Sequence, residues 1–304
     1  MNYKARLEKL EPNVVFLISL YLHQNITPQT VIQAKKGGIT GIKSYPAGVT
    51  TNSSSGVVDY EVFYPVFEEM ERQDMILNLH GETPREPGSD ITVLNAEERF
   101  LPTLIDLHQR FPKLRIILEH CTTAAAIEAV KACGSNVAAT ITAHHLSLIV
   151  DDWAGDPHCF CKPVAKTPED RNALLRAVVS GNPKFFFGSD SAPHPVKAKT
   201  CGELRTGKAA AGVFTQPYVT QYVLSALEDA CQEGIITEKE VTPEKIRAFL
   251  GGFGRNFYGV QNAKQENITL VRHQETVCNH LGHGDIAVIP FKSSSKLGWK
   301  VKWN

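Results

Sequence analysis

Short apolar runs that end in a polar residue recur along the chain, and each is followed by a stretch whose apolar positions repeat with helical spacing. Val14–Leu20, Gly41–Ser44, Ile76–His80, Arg115–His120, Val137–Ala143 and Phe185–Asp190 read as strands. Helices are expected to open at Thr27-Pro28, Asp59, Asn95, Thr122-Thr123 and Thr167-Pro168-Glu169-Asp170, where a capping residue or a proline stands at the helix start. Phe185 to Phe187 leave no polar face, which suits a parallel strand covered on both sides, and Pro193 forbids continuing that ladder. Six βα units imply a parallel sheet, either doubly wound or closed into a barrel. No glycine-rich fingerprint follows the first strand, so the signature of a dinucleotide fold is missing.

After Asp190 the pattern changes. Pro217–Glu233 and Pro243–Phe249 read as helices, the second capped by Thr242 and stopped by Gly251-Gly252. The period then drops to two over Ile268–Arg272, Asp285–Phe291 and Leu297–Trp303, which predicts a small β appendage. The expected division is therefore an α/β unit over residues 1–260 and a β appendage over 261–304 packed against it.

With 304 residues, 42% apolar, 21% charged and a formal net charge of zero, the composition is that of a soluble globular chain with a large core. It gives no reason to expect a nucleic-acid partner. Met1 to Leu10 lack an apolar signal region and the longest apolar runs are too short for a membrane span, so a cytoplasmic protein without a membrane partner is expected. The seven cysteines are scattered without disulfide or structural-zinc spacing and read as reduced, mostly core residues.

The candidate chemistry lies where the strands end. Lys43, His80, His120 and Asp190 each close an apolar run, and in a parallel sheet those ends face one way. One histidine or lysine at a strand end is usually structural, but four ligand-type residues in register point to a site. Two imidazoles and a carboxylate suit zinc, cobalt or manganese. An ammonium beside such ions would be repelled, so Lys43 either binds an anionic substrate or carries its amine as a carbamate able to bridge two metals.

Gly188-Ser-Asp-Ser-Ala-Pro-His194 followed by Lys199, Gly41-Ile-Lys-Ser-Tyr-Pro-Ala-Gly-Val-Thr-Thr-Asn52, Leu79-His-Gly-Glu82 and Leu118-Glu-His-Cys121 resemble motifs of one known family. It is the monofunctional dihydroorotases of the amidohydrolase superfamily, of the kind found in enteric bacteria and yeasts. Ala138-Ala-Thr-Ile-Thr-Ala-His-His145 and Phe160-Cys-Lys-Pro163 extend the likeness. The resemblance implies a distorted TIM (β/α)8 barrel with two Zn2+, bridged by N6-carboxylated Lys43 and a hydroxide. By motif, His80 and His120 are similar to ligands of the more exposed metal. Asp190 is similar to the aspartate that binds the other metal and shuttles the proton. His194 matches a contact to the substrate carboxylate, Thr50 and Thr51 a loop that closes over substrate, and backbone groups near Lys162 and Ala211 contacts to the pyrimidine ring. The implied reaction is the reversible cyclisation of N-carbamoyl-L-aspartate to L-dihydroorotate in UMP biosynthesis, with a small-molecule substrate and a homodimeric enzyme.

Two features depart from that pattern. No His-x-His pair precedes Lys43, and the arginine and asparagine expected to hold the substrate carboxylate have no counterpart. Six βα units stand where a closed barrel has eight, so the expectation is a chain lacking the first two units, inactive alone and holding fewer than two zinc ions. Two rival readings are a hydantoinase or dihydropyrimidinase, against which Ser-Ala-Pro-His194 and Thr50-Thr51 argue, and a scaffold protein without catalysis. The remaining histidines, His144 and His145 among them, read as structural, although His280-Leu-Gly-His283 has metal-like spacing. Should the short chain prove active, His144 and His145 are the pair to supply the missing ligands.

Overall fold

The computed structural model describes residues 2–50, 53–200, 209–260 and 267–303. Six parallel strands form one sheet: β1 (Ser19–Tyr21), β2 (Gly41–Ser44), β3 (Ile76–His80), β4 (Arg115–Glu119), β5 (Val137–Ile141) and β6 (Phe185–Phe187). They neighbour one another in the order of the sequence. An order that never reverses is the winding of a (β/α) barrel, whereas a doubly wound sheet turns back at a switch point.

Helix α1 (Asn2–Leu10) precedes β1, and α2 (Pro28–Lys36), α3 (Tyr64–Arg72), α4 (Ala96–Arg110) and α5 (Ala124–Ala132) follow β1 to β4 in turn. A short α6 (Val150–Trp153) and then α7 (Pro168–Val179) lie between β5 and β6. The starts are written locally. Thr27 Oγ1 accepts from Thr30 N at 3.2 Å, Thr123 Oγ1 from Ala126 N at 3.1 Å and Thr167 Oγ1 from Asp170 N at 3.3 Å. Each such cap stabilises its helix by about 1 kcal/mol.

Alternation along the strands divides the sheet into two faces. Leu77 and Leu79 of β3, Ile116 and Leu118 of β4 and Ala139 and Ile141 of β5 join the helices in the main core. Ile76, Ile117, Ala138 and Phe186 point the other way and pack against Phe253, Phe257 and Tyr258. Those three residues belong to the last stretch of helix. After α8 (Val196–Thr200) and α9 (Val219–Gln232), α10 (Pro243–Arg247) runs through a π turn at Ala248–Gly252 into α11 (Phe253–Tyr258).

Three expectations fail. The strand expected over Val14–Leu20 begins only at Ser19 and runs to Tyr21, because β2 offers only four residues to pair with, and Val14, Val15 and Leu17 are left exposed. Gly251-Gly252 does not stop the helix. The stop is Gly259, whose φ of 70° is the left-handed cap conformation that glycine adopts without a Cβ clash. Asp285–Phe291 forms a 3-10 turn at Gly284–Ile286 and one bridge between Leu281 and Val288, and Pro290 has no N–H for a longer ladder. The appendage is thus a two-stranded antiparallel hairpin, β7 (Ile268–Thr276) with β8 (Lys296–Trp303). It packs on α9: Leu297 is buried, Gln221 Nε2 donates to Glu275 at 3.0 Å and the Tyr222 hydroxyl donates to the Phe291 carbonyl. Among the described residues the cysteines are free thiols, and no helix is long and apolar enough to cross a membrane.

Candidate active site

On the face turned away from the outer helices, the period of two stacks residues in layers. The lowest is the apolar cluster sealed by Phe253, Phe257 and Tyr258. Above it Asn78 Nδ2 donates to Glu119 Oε1 at 2.6 Å and lies 2.9 Å from Tyr258 Oη, while Thr140 Oγ1 donates to Glu119 Oε2 at 3.2 Å. Lys43, His80, His120 and Asp190 gather at the C-terminal end around this polar layer, Lys43 paired in register with Asn78 and His80 with Glu119.

The geometry brings the predicted residues together. The His80 and His120 rings meet edge to face with centroids 4.7 Å apart. His80 Nε2 is 2.7 Å from Glu82 Oε2, and both residues are 1% exposed. Burial pulls the His80 imidazole below its usual range against the pull of Glu82. His120 is held well below its usual range, first by burial and then by the charges of Lys43 and His80. Both rings are therefore neutral bases. His120 Nδ1 is buried with no hydrogen-bond partner, an uncommon state for a buried polar atom and the one expected of a nitrogen that awaits a cation.

Lys43 lies mostly buried, its Nζ 5.2 Å from the centre of the Tyr45 ring. Burial lowers its pKa while Glu119 and Asp190 oppose that shift, which favours the neutral amine needed for a carbamate. Asp190 keeps an exposed surface, yet desolvation of its carboxyl pushes the pKa up to about 7, with Lys43 opposing and Glu119 reinforcing. A cation at this end would reverse that shift. His120 and Asp190 both have positive φ, 42° and 40°, a conformation that costs non-glycine residues energy and gathers at functional sites.

A second group stands beside the four. His194 Nε2 is 3.0 Å from the Ala211 carbonyl oxygen. Lys199 Nζ donates to the carbonyls of Phe160 (2.9 Å), Ala210 (2.8 Å) and Gly212 (2.7 Å), tying the Ala211 segment to the loop that carries Lys162. Thr50 sits in the loop after β2, where its N–H donates to Ser53 Oγ at 2.9 Å and its hydroxyl is buried without a partner. Thr51 lies outside the described residues. A cavity of about 680 Å³ lined by Tyr21, His23, Ser54, Gly56 and Phe63 opens next to this loop, beside and not over the four strand-end residues. Glu82, Glu119 and Thr140 were not singled out from the sequence. The first was legible in the His80-x-Glu82 spacing, whereas the second became visible only through the register that pairs it with His80.

No family-level sequence model matches the chain. Individual relatives do. A probable dihydroorotase of Schizosaccharomyces pombe is 50% identical over 308 residues, spanning 100% of this chain and 84% of that protein. The dihydroorotase of Saccharomyces cerevisiae is 44% identical over 321 residues, with 100% and 84% covered. The crystal structure of the Saccharomyces cerevisiae dihydroorotase in complex with 5-fluoroorotic acid superposes with a TM-score of 0.89 over 99% of this chain and 84% of that one. An L-hydantoinase from Arthrobacter aurescens, at 14% identity and a TM-score of 0.75 over 98% and 71%, shares the fold. The fold and these relatives together define an amidohydrolase. Within that class the sequence identities are decisive, and the chain belongs to the dihydroorotase family.

Proposed function

We propose that the protein interconverts N-carbamoyl-L-aspartate and L-dihydroorotate, with Lys43, His80, His120 and Asp190 as its metal-binding set. The observation that carries this reading is the convergence, in a chain of this family, of two neutral imidazoles, a carboxylate and a desolvated amine, with His120 Nδ1 buried and unpartnered. Zinc-class cations, when held by His80, His120, Asp190 and Lys43 as its carbamate, would polarise the ring amide carbonyl and activate water. Neutral Lys43 is the form that combines with carbon dioxide, losing a proton as the carbamate forms. His80 and His120 offer unprotonated nitrogens, and Glu82 fixes the His80 ring through the other nitrogen.

In the hydrolytic direction Asp190 takes the proton released by the attacking water and delivers it to the departing ring nitrogen. In the biosynthetic direction it returns that proton to the water expelled as the ring closes. His194 selects for the substrate carboxylate. The hydrogen bond from His194 Nε2 to the Ala211 carbonyl holds the ring on the loop where that carboxylate would be read. A ring acid is also the ligand named in the Saccharomyces cerevisiae complex, 5-fluoroorotic acid.

Zinc content and ligand binding test the reading together. The protein is expected to bind L-dihydroorotate more tightly than dihydrouracil, which lacks the carboxylate, and Lys43→Ala is expected to lose zinc. Equal affinity for the two ligands would point to a dihydropyrimidinase, and undiminished zinc in the variant would remove Lys43 from the site.

A further inference from the structure

Beyond the residues assigned to the reaction, one buried cluster has ligand chemistry of its own. His144 and His145 follow β5, and Cys161 lies on the loop before α7; all three are at most 1% exposed. Their ligand atoms lie within 4.8 Å of one another. We propose that His144, His145 and Cys161 hold a divalent zinc-class cation at a site distinct from Lys43, His80, His120 and Asp190.

Ordinary core packing explains only part of the cluster. His145 has partners on both sides, Nδ1 at 2.9 Å from Thr142 Oγ1 and Nε2 at 3.0 Å from the Pro163 carbonyl oxygen. The Cys161 thiol reaches the same carbonyl at 3.2 Å. His144 is different. Neither of its ring nitrogens has a partner although the residue is 0% exposed, and leaving a buried donor or acceptor unmade costs about 1–3 kcal/mol each. Burial, the charge of His145 and that of Lys199 all keep this ring neutral, which is the ligating form.

The spacing also suits a metal. With Zn–S near 2.3 Å and Zn–N near 2.0–2.1 Å, tetrahedral ligands stand roughly 3.6 Å apart, and Cys161 Sγ is 3.4 Å from His145 Nε2. In the metal-bound tautomer His145 Nδ1–H donates to Thr142 Oγ1, and that bond fixes the ring with Nε2 facing the ion. Binding displaces the Cys161 proton to solvent, and the Pro163 carbonyl oxygen, 3.0–3.2 Å from two of the ligand atoms, stands where a fourth ligand would. The charge balance is workable. Lys166 and Lys199 are nearby cations, the second with its ammonium bonded to three carbonyls, while burial and then the charges of Asp190 and Glu82 hold the free Cys161 thiol protonated until a cation binds. A cation here would pin the end of β5 to the loop that carries Lys162.

The test uses the full chain loaded with cobalt(II), whose thiolate complexes absorb in the near ultraviolet. The wild type is expected to show that band, Cys161→Ser and His144→Gln to lose it together with one metal per chain, and Cys159→Ser to keep it. Lys43→Ala should lose metal while keeping the band, so failure of the proposed reaction and failure of this site give different results. His144→Gln retains the thiol and decides the matter by stoichiometry if Cys161→Ser does not fold. Absence of the band from the cobalt-loaded wild type, or its persistence in Cys161→Ser, would overturn the proposal.

Discussion

Glu97 offers a quantitative test of how the His120 strand end is held. It lies on α4, 1% exposed, and its carboxylate accepts from Thr122 N at 2.8 and 3.0 Å and from Thr123 Oγ1 at 2.6 Å. Thr123 in turn caps α5, so Glu97 anchors the turn that leaves His120 and Cys121. Burial raises its pKa to about 7, with Lys166 and the threonine donors opposing. In the unfolded chain a glutamate titrates near 4.3. Between those values the folded state binds more protons than the unfolded one, so this group makes stability fall as pH rises through that window. Above pH 7 the loss is complete, and a difference of about 2.7 units amounts to roughly 3–4 kcal/mol.

Glu97→Gln keeps an oxygen for Thr122 N and removes the ionisation. Relative to wild type it should therefore gain roughly 3 kcal/mol between pH 5 and pH 8, about 6 °C in Tm for a chain of this size. Melting both proteins across that range and plotting the difference cancels the titrations they share. A difference that is flat, or that falls with pH, would refute the reasoning. It would mean that the Lys166 ammonium and the two threonine donors hold Glu97 ionised in the folded state.

Four further outcomes follow from the geometry. Lys43→Ala should lose zinc and turnover together, and short carboxylic acids should partly restore both by standing in for the carbamate; unchanged zinc on analysis refutes the bridge. In a preparation that cyclises carbamoyl-aspartate, Asp190→Asn should lower kcat by about 10²–10⁴ with the fold intact, and a near-wild-type rate would take the proton shuttle away from it. Lys199→Met strips three carbonyls of their charged donor, so a loss of about 3–5 kcal/mol in urea unfolding is expected, and an unshifted midpoint would show those bonds to be dispensable. Gly188→Ala places a Cβ 2.7 Å from Thr140 Cβ, and about 1–3 kcal/mol of strain plus weakened zinc binding should follow; wild-type stability and zinc would show that the contact yields freely.

What the sequence revealed and what it hid separate along a physical line. Local signals were readable: threonine caps before proline, apolar runs ending in Lys43, His80, His120 and Asp190, and the period of two in β7 and β8. Quantities that depend on a partner were not. Val14–Leu20 carries the composition of a strand, but ladder length was decided by the four residues of β2. Asp285–Phe291 alternates correctly and lacks a neighbour to pair with along its length. Glu119 looks like any charged residue beside a histidine, and its place beside the site follows only from the register that sets His80 opposite it. His144 could not be told from an ordinary core histidine, because an unpartnered nitrogen is a property of its surroundings.

His120 and Asp190, two of the non-glycine residues at positive φ, connect these levels. A non-glycine residue at φ near 40° does not hold that conformation by itself, so His120 and Asp190 must be fixed by what packs around them. For His120 the restraint is visible. Its backbone N–H donates to Thr140 Oγ1 at 2.6 Å, Thr140 donates onward to Glu119, and Glu119 is held by Asn78, which also meets Tyr258 from α11. Gly188 brings the β6 end against Thr140, and the Gly188 N–H donates to the Ile141 carbonyl at 3.2 Å, so the approach to Asp190 shares the same support. One polar layer thus sets the direction in which two site residues leave their strands, while the apolar layer beneath it, closed by Phe253, Phe257 and Tyr258, keeps water from competing for those bonds. Substitutions in that layer should accordingly disturb metal binding before they disturb the sheet.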